Sequence, residues 1–131
     1  IYINRVFMTT KLLVYGTLKS DGALHSILKT GKFLGEYITK SKGYAMSSAG
    51  GNSFPFVYYT NPNNPYRLKG ELYEVDIQTL FAAKQVELSA GYEFKELDDN
   101  IWGFLYPKQI GNYSNNIQVN EEEKYIEWLN F

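Results

Sequence analysis

Short runs rich in β-branched and aromatic residues, most of them set off by nearby glycine, proline or asparagine, most limit what this chain can fold into. They span Lys11 to Tyr15, Lys32 to Thr39, Phe56 to Thr60, Arg67 to Val75, Tyr92 to Leu97 and Trp102 to Tyr106. Side chains branched at Cβ lose freedom in a helix and fit a pleated surface, so each run reads as a strand. In Leu68-Lys69-Gly70-Glu71-Leu72-Tyr73-Glu74-Val75 the alternation is imperfect around a central glycine. That pattern predicts a bend or bulge, as at a barrel corner. Asp98-Asp99-Asn100 supplies a hairpin turn between two runs. The polar stretches Asn61-Pro62-Asn63-Asn64-Pro65 and Gly111-Asn112-Tyr113-Ser114-Asn115-Asn116 read as surface loops.

Helical signals are fewer. Asp76 can cap a helix from Ile77 towards Leu88, because its carboxylate can accept the orphan amides of the first turn. Ala23 to Lys29 predicts a short helix stopped by Gly31. Between Glu121 and Leu129, the residues Tyr125, Trp128 and Leu129 recur at helical spacing, so this segment is expected to pack as a helix outside the sheet. The class is α+β, a mainly antiparallel, curled sheet with helices on one side. No repeat or linker divides the 131 residues, a length typical of one domain. The expected domain runs over residues 8–131 from a start at Met8, with residues 1–7 a leader too short and polar for a signal peptide.

Composition removes several classes of function. The 13 basic and 14 acidic residues cancel to a net charge of −1, which gives no field for a phosphate backbone, so no nucleic acid is expected as partner. No window reaches the roughly 20 apolar residues of a membrane helix, so no membrane partner is expected either. With no cysteine there is no disulfide framework, thiolate metal site or cysteine nucleophile, and the expected address is the cytoplasm. Asn112-Tyr113-Ser114 fits a glycosylation sequon, with no other sign of secretion. The single histidine means that a Ser-His triad or a His-rich metal site would have to use His25. There is no Walker loop, dinucleotide glycine fingerprint or metal-ligand cluster, so neither metal nor cofactor is expected. Aromatic residues make up 17%, what a small closed sheet or a lined pocket would use.

Two places can carry chemistry. In Leu12-Leu13-Val14-Tyr15-Gly16-Thr17-Leu18-Lys19 an apolar strand runs straight into Gly-Thr. Such a loop can turn sharply and hold an anion on consecutive amides, or it can be only a strand ending at a turn. On a helix starting at Ile77, the residues Ile77, Leu80, Phe81, Lys84, Glu87 and Leu88 fall on one face. A Glu87 carboxylate held against that stripe is desolvated, which raises its pKa and suits it to proton transfer near neutrality. The other reading pairs it with Lys84 at the end of a surface helix. His25 reads as a surface or helix-packing residue. Tyr44, Phe54, Phe56, Tyr58, Tyr59, Tyr73, Tyr92 and Tyr106 read mostly as core, with one or two hydroxyls left to serve a pocket rim.

Tyr15-Gly16-Thr17-Leu18-Lys19, Gly31-Lys32-Phe33-Leu34-Gly35, Gly70-Glu71-Leu72-Tyr73-Glu74-Val75-Asp76, and Glu87 ahead of Gly91-Tyr92 together resemble the gamma-glutamyl cyclotransferase-like family, and within it most closely the gamma-glutamylamine cyclotransferase branch. The resemblance spans roughly Lys11 to Tyr106 and implies a small β-barrel with flanking helices. It also implies the reaction: the α-amine of a γ-glutamyl group attacks its own γ-carbonyl, giving 5-oxoproline and releasing an amine or amino acid. It carries the catalytic glutamate onto Glu87 and the substrate-binding loop onto Tyr15, Gly16, Thr17 and Leu18, with Tyr106 as a further pocket position. The implied partner is a small γ-glutamyl compound, with no cofactor. The chain departs from the family in Ala83-Lys84, where many members carry Leu-Asp, and in Leu88-Ser89-Ala90. A Lys84 paired with Glu87 would lower its pKa, and that motivates the alternative of a binding module that captures a small carboxylate without turnover. A protein-interaction role would need a large exposed aromatic patch away from the loop.

Overall fold

Each run read as a strand forms one in the computed structural model, which describes residues 9–48 and 54–130. The expected start at Met8 and the leader of residues 1–7 lie outside those residues. The strands are β1 (Thr9–Val14), β2 (Lys32–Ile38), β3 (Tyr44–Ser48), β4 (Pro55–Tyr59), β5 (Arg67–Asp76), β6 (Glu93–Asp98), β7 (Ile101–Leu105), β8 (Ile117–Asn120) and β9 (Tyr125–Trp128). The helix α1 covers Ile77–Ser89, and a 3-10 helix covers His25–Leu28. The main sheet runs β6-β7-β1-β5-β9-β8, with β2 also on β5, while β3 and β4 form a separate hairpin. Most pairings are antiparallel, but β1 with β7 and β5 with β9 are parallel, so the sheet is mixed and curls into a half-barrel.

The second half of β1, Leu12-Leu13-Val14, is an unbroken apolar run because both its faces are covered there. Leu12 and Val14 pack with Leu28, Phe56, Val75 and Phe104. Leu13 and Tyr15 face the other way, among Val57, Leu68, Leu97 and Ile126. The glycine of β5 has a different cause from the expected bulge. A Cβ on Gly70 would lie 2.4 Å from the Val14 carbonyl oxygen, so only glycine lets the end of β1 approach this closely. There β5 changes neighbours: Glu71 to Asp76 pair with β1, and Arg67 and Leu68 pair with β9.

Helix α1 begins as its sequence dictates, with the Thr79 amide donating to the Asp76 carboxylate at 2.8 Å. Its buried face differs from the expected stripe. Thr79 and Ala83 are buried, with Leu80, Val86 and Glu87 beside them, whereas Ile77 and Phe81 are 60% and 63% exposed. Glu87 thus points inward as expected, but in the company of smaller residues.

The segment read as a C-terminal helix is a hairpin. Asn120 accepts from the Glu123 amide at 2.9 Å, Lys124 turns with φ 56°, and β9 runs back along β8. Ile126 and Trp128 alternate inward, a period of two hidden under the helix-like spacing of Tyr125, Trp128 and Leu129. The second polar stretch is only partly a surface loop: Ser114 and Asn116 are buried, and Asn112 pairs with Ser48 at the edge of β3.

Candidate active site

The two chemical features of the sequence meet in one cavity. It has a volume of about 220 Å³, and Tyr15, Gly16, Thr17 and Leu18 line it together with Glu87. The rest of the wall is mainly apolar, including Leu24, Phe54, Pro55, Val86 and Phe104. Glu87 is the one charged residue in it, and among the described residues no hydrogen bond ties up its carboxyl group.

Burial in that wall pushes the Glu87 carboxyl up from an ordinary 4.5 to about 7. The pairing with Lys84 is not made: among the described residues the ion pairs lie elsewhere. The Lys84 ammonium instead sits 4.2 Å from the centre of the Phe94 ring, a favourable cation–π contact.

The chain just after Glu87 fixes where it stands. Gly91 adopts φ 97°, a conformation that costs glycine little and other residues much. Its amide donates to the Leu88 carbonyl at 3.1 Å, and the Tyr92 amide reaches back to the Glu87 carbonyl at 3.0 Å. This crossed pair is a Schellman stop. It explains why a Gly-Tyr follows the glutamate at that distance, and it swings Tyr92 into the cavity wall. The Tyr92 hydroxyl donates to the Pro55 carbonyl. Tyr15 donates to the Phe104 carbonyl at 2.7 Å. Its hydroxyl is held well above the usual range by burial, with Tyr92 and Glu87 adding to the effect.

Tyr106 does not line the cavity. Its ring packs behind the wall, 4.7 Å from Phe56 and 5.3 Å from Tyr92 between centres. Gly16 lies in the wall for a steric reason: a Cβ there would stand 2.7 Å from the Pro55 ring.

Residues that sequence reasoning passed over hold the loop. Glu71, read as an ordinary strand residue, accepts from the Ser20 amide at 2.6 Å and the Ser20 hydroxyl at 2.7 Å. His25 lies with Nδ1 3.0 Å from the Leu18 carbonyl oxygen. A carbonyl can only accept, so Nδ1 carries the proton. Asn130 donates to the Gly16 carbonyl at 3.1 Å and to Asp21 at 2.9 Å. Within the loop the Lys19 amide donates to the Gly16 carbonyl at 3.0 Å. That bond closes a turn in which the amides of Thr17 and Leu18 have no partner among the described residues, the kind of donor pair an anion can occupy. Among the described residues no group of His, Asp and Glu comes together as metal ligands, and no helix is long and apolar enough to cross a membrane.

Comparison with known proteins finds relatives over most of the chain. The family described as Gamma-glutamyl cyclotransferase, AIG2-like matches residues 12–127. A protein of Pyrococcus horikoshii, provisionally named a gamma-glutamylcyclotransferase, is 34% identical over 89 residues, which are 68% of this chain and 69% of its own. The crystal structure of the same archaeal protein superposes with a TM-score of 0.63 at 27% identity, over 79% of this chain and 83% of that one. An AIG2-like protein of Mus musculus gives a TM-score of 0.61 at 25% identity, covering 82% and 80% of the two chains. The match takes in β1 with its glycine turn, the partner-switching strand β5 and helix α1, and on that footing the chain belongs to the gamma-glutamyl cyclotransferase, AIG2-like family.

Proposed function

We propose that the protein is a cyclotransferase acting on γ-glutamyl amines or γ-glutamyl peptides, with Glu87 as general acid and base. The observation that carries this reading is the placing of one desolvated carboxyl group, titrating at about 7, in the same cavity wall as the Tyr15–Leu18 turn.

The turn receives the substrate's α-carboxylate on the amides of Thr17 and Leu18. The α-ammonium then loses a proton to ionised Glu87, and its nitrogen attacks the γ-carbonyl carbon. Glu87 passes that proton to the departing amine as the tetrahedral adduct collapses with cleavage of the bond to it. The ring nitrogen gives its remaining surplus proton to the re-ionised carboxylate, which releases it to solvent. The products are 5-oxoproline and a free amine. A carboxyl group poised near neutrality can both accept and return the proton. Nucleophile and electrophile belong to one molecule, so holding it folded supplies much of the acceleration. A capture module without turnover was motivated by a Lys84–Glu87 pair, and with Lys84 over Phe94 that motive is gone.

The test is 5-oxoproline release from a panel of γ-glutamyl amines and dipeptides, with wild type beside Glu87→Gln. Release by the wild type and a loss of at least about 100-fold in the variant are expected. Undiminished release by a folded Glu87→Gln would remove Glu87 from the reaction.

A further inference from the structure

Lys19 ends the glycine turn, and its burial calls for a cause. The residue is only 8% exposed, and long cationic side chains are almost never this buried without a paired charge. Its ammonium donates to the Trp128 carbonyl at 2.6 Å, and among the described residues it stands within 4.0 Å of no carboxylate. Asp21, two residues on, accepts from Asn130, and Glu71 accepts from the neighbouring Ser20. Among the described residues this buried cation is held by one carbonyl and by no ion pair. The turn that Lys19 itself closes has two amides without a partner among the described residues.

We propose that Lys19 sets the specificity of the loop for an anionic ligand: its buried ammonium is the counter-charge of the substrate's α-carboxylate. The inference rests on the reading that the Tyr15–Leu18 turn receives that carboxylate. Lys19 is a positioning residue, acting through space and through the turn it closes, and it does not touch the reacting atoms. Water is largely excluded around it, so its field reaches an anion in the turn with less screening than a surface lysine would have. A ligand without the carboxylate gains nothing from it.

The experiment compares γ-glutamyl-methylamide with 4-aminobutyryl-methylamide, which lacks only the α-carboxylate. Cyclisation of the first gives 5-oxoproline and of the second 2-pyrrolidinone, each with methylamine. The quantity read is the ratio of the two kcat/KM values. Wild type should favour the carboxylate strongly, and Lys19→Met should reduce the ratio by about tenfold or more. Lys19→Gln should reduce it as far, although its amide can still donate to the Trp128 carbonyl and so spare the fold. An unchanged ratio in folded Lys19→Gln would overturn the proposal, because a purely structural role lowers both rates together. If wild type releases neither lactam, the proposed reaction fails. The question about Lys19 is then decided by NMR titration with the two lactams: a preference for 5-oxoproline that Lys19→Gln loses supports it, and one that it keeps, or no preference in the wild type, overturns it.

Discussion

Glu87 is the carboxyl group that burial raises most among the described residues, and its stability ledger has a definite sign. Burial raises its carboxyl group from 4.5 to about 7, so the folded chain holds that proton more tightly than the unfolded chain does. Stability from this group is therefore complete below about pH 4.5 and is lost as pH rises through about 7, a loss on the order of 3 kcal/mol. Glu87→Gln has nothing to ionise. Its Tm should exceed that of wild type by a margin that opens between about pH 5 and pH 8, and the margin should stay constant below about pH 4.5. A margin independent of pH in thermal melts would mean that the cavity wall does not desolvate the carboxyl. In wild type, kcat/KM should rise with pH through about 7 as the base ionises. At this scale the sequence was legible where residues gather about the cavity, as with Glu87 and the Tyr15–Leu18 turn. It was mute where a side chain acts on backbone. Lys19, His25 and Asn130 all grip carbonyl groups, and every residue of every sequence offers one of those.

At the scale of elements, the helix stop after Glu87 is the most exacting piece of local structure. Gly91 has φ 97°, and a Cβ there would lie 2.9 Å from the Tyr106 hydroxyl oxygen. Gly91→Ala should cost about 1–3 kcal/mol in denaturant melts. It should also lower kcat, because the Tyr92 amide that anchors the Glu87 carbonyl would shift with it. Full activity in a destabilised variant would show that the carboxylate is placed without the stop. Element types were legible wherever one period dominated: the β-branched runs became strands, and Asp76 capped a helix. They were misread where two periods coincide. Tyr125 and Trp128 satisfy a helical spacing, while Ile126 and Trp128 satisfy the alternation that the buried face enforces. The acidic Glu121-Glu122-Glu123 resembles a helix start and forms a turn into β9. Strand β3, Tyr-Ala-Met-Ser-Ser, passed unnoticed because small residues and serine carry little strand preference, and its pairing with β4 decides its form.

Over the whole molecule, the order of strands was the least legible layer, because it rests on contacts that neighbouring sequence does not announce. The parallel pairing of β9 with β5 involves only Arg67 and Leu68, yet it carries the last strand to the back of the pocket turn. There Trp128 receives the Lys19 ammonium, and Asn130, 114 positions along the chain from Gly16, donates to the Gly16 carbonyl. The loop that starts the site and the segment after β9 are therefore one mechanical unit, whereas Glu87 hangs from α1 and its own stop. Asn130→Ala removes two hydrogen bonds from the loop and none from Glu87. At about 0.5–1 kcal/mol each, their loss should raise KM for γ-glutamyl substrates roughly fivefold to thirtyfold. The kcat should stay within about twofold, since the glutamate and the wall around it keep their places. A fall in kcat with KM unmoved would reverse the assignment, making the segment after β9 a support of the catalytic carboxylate. An unchanged KM and kcat would leave Glu71 and His25 as sufficient to hold the turn.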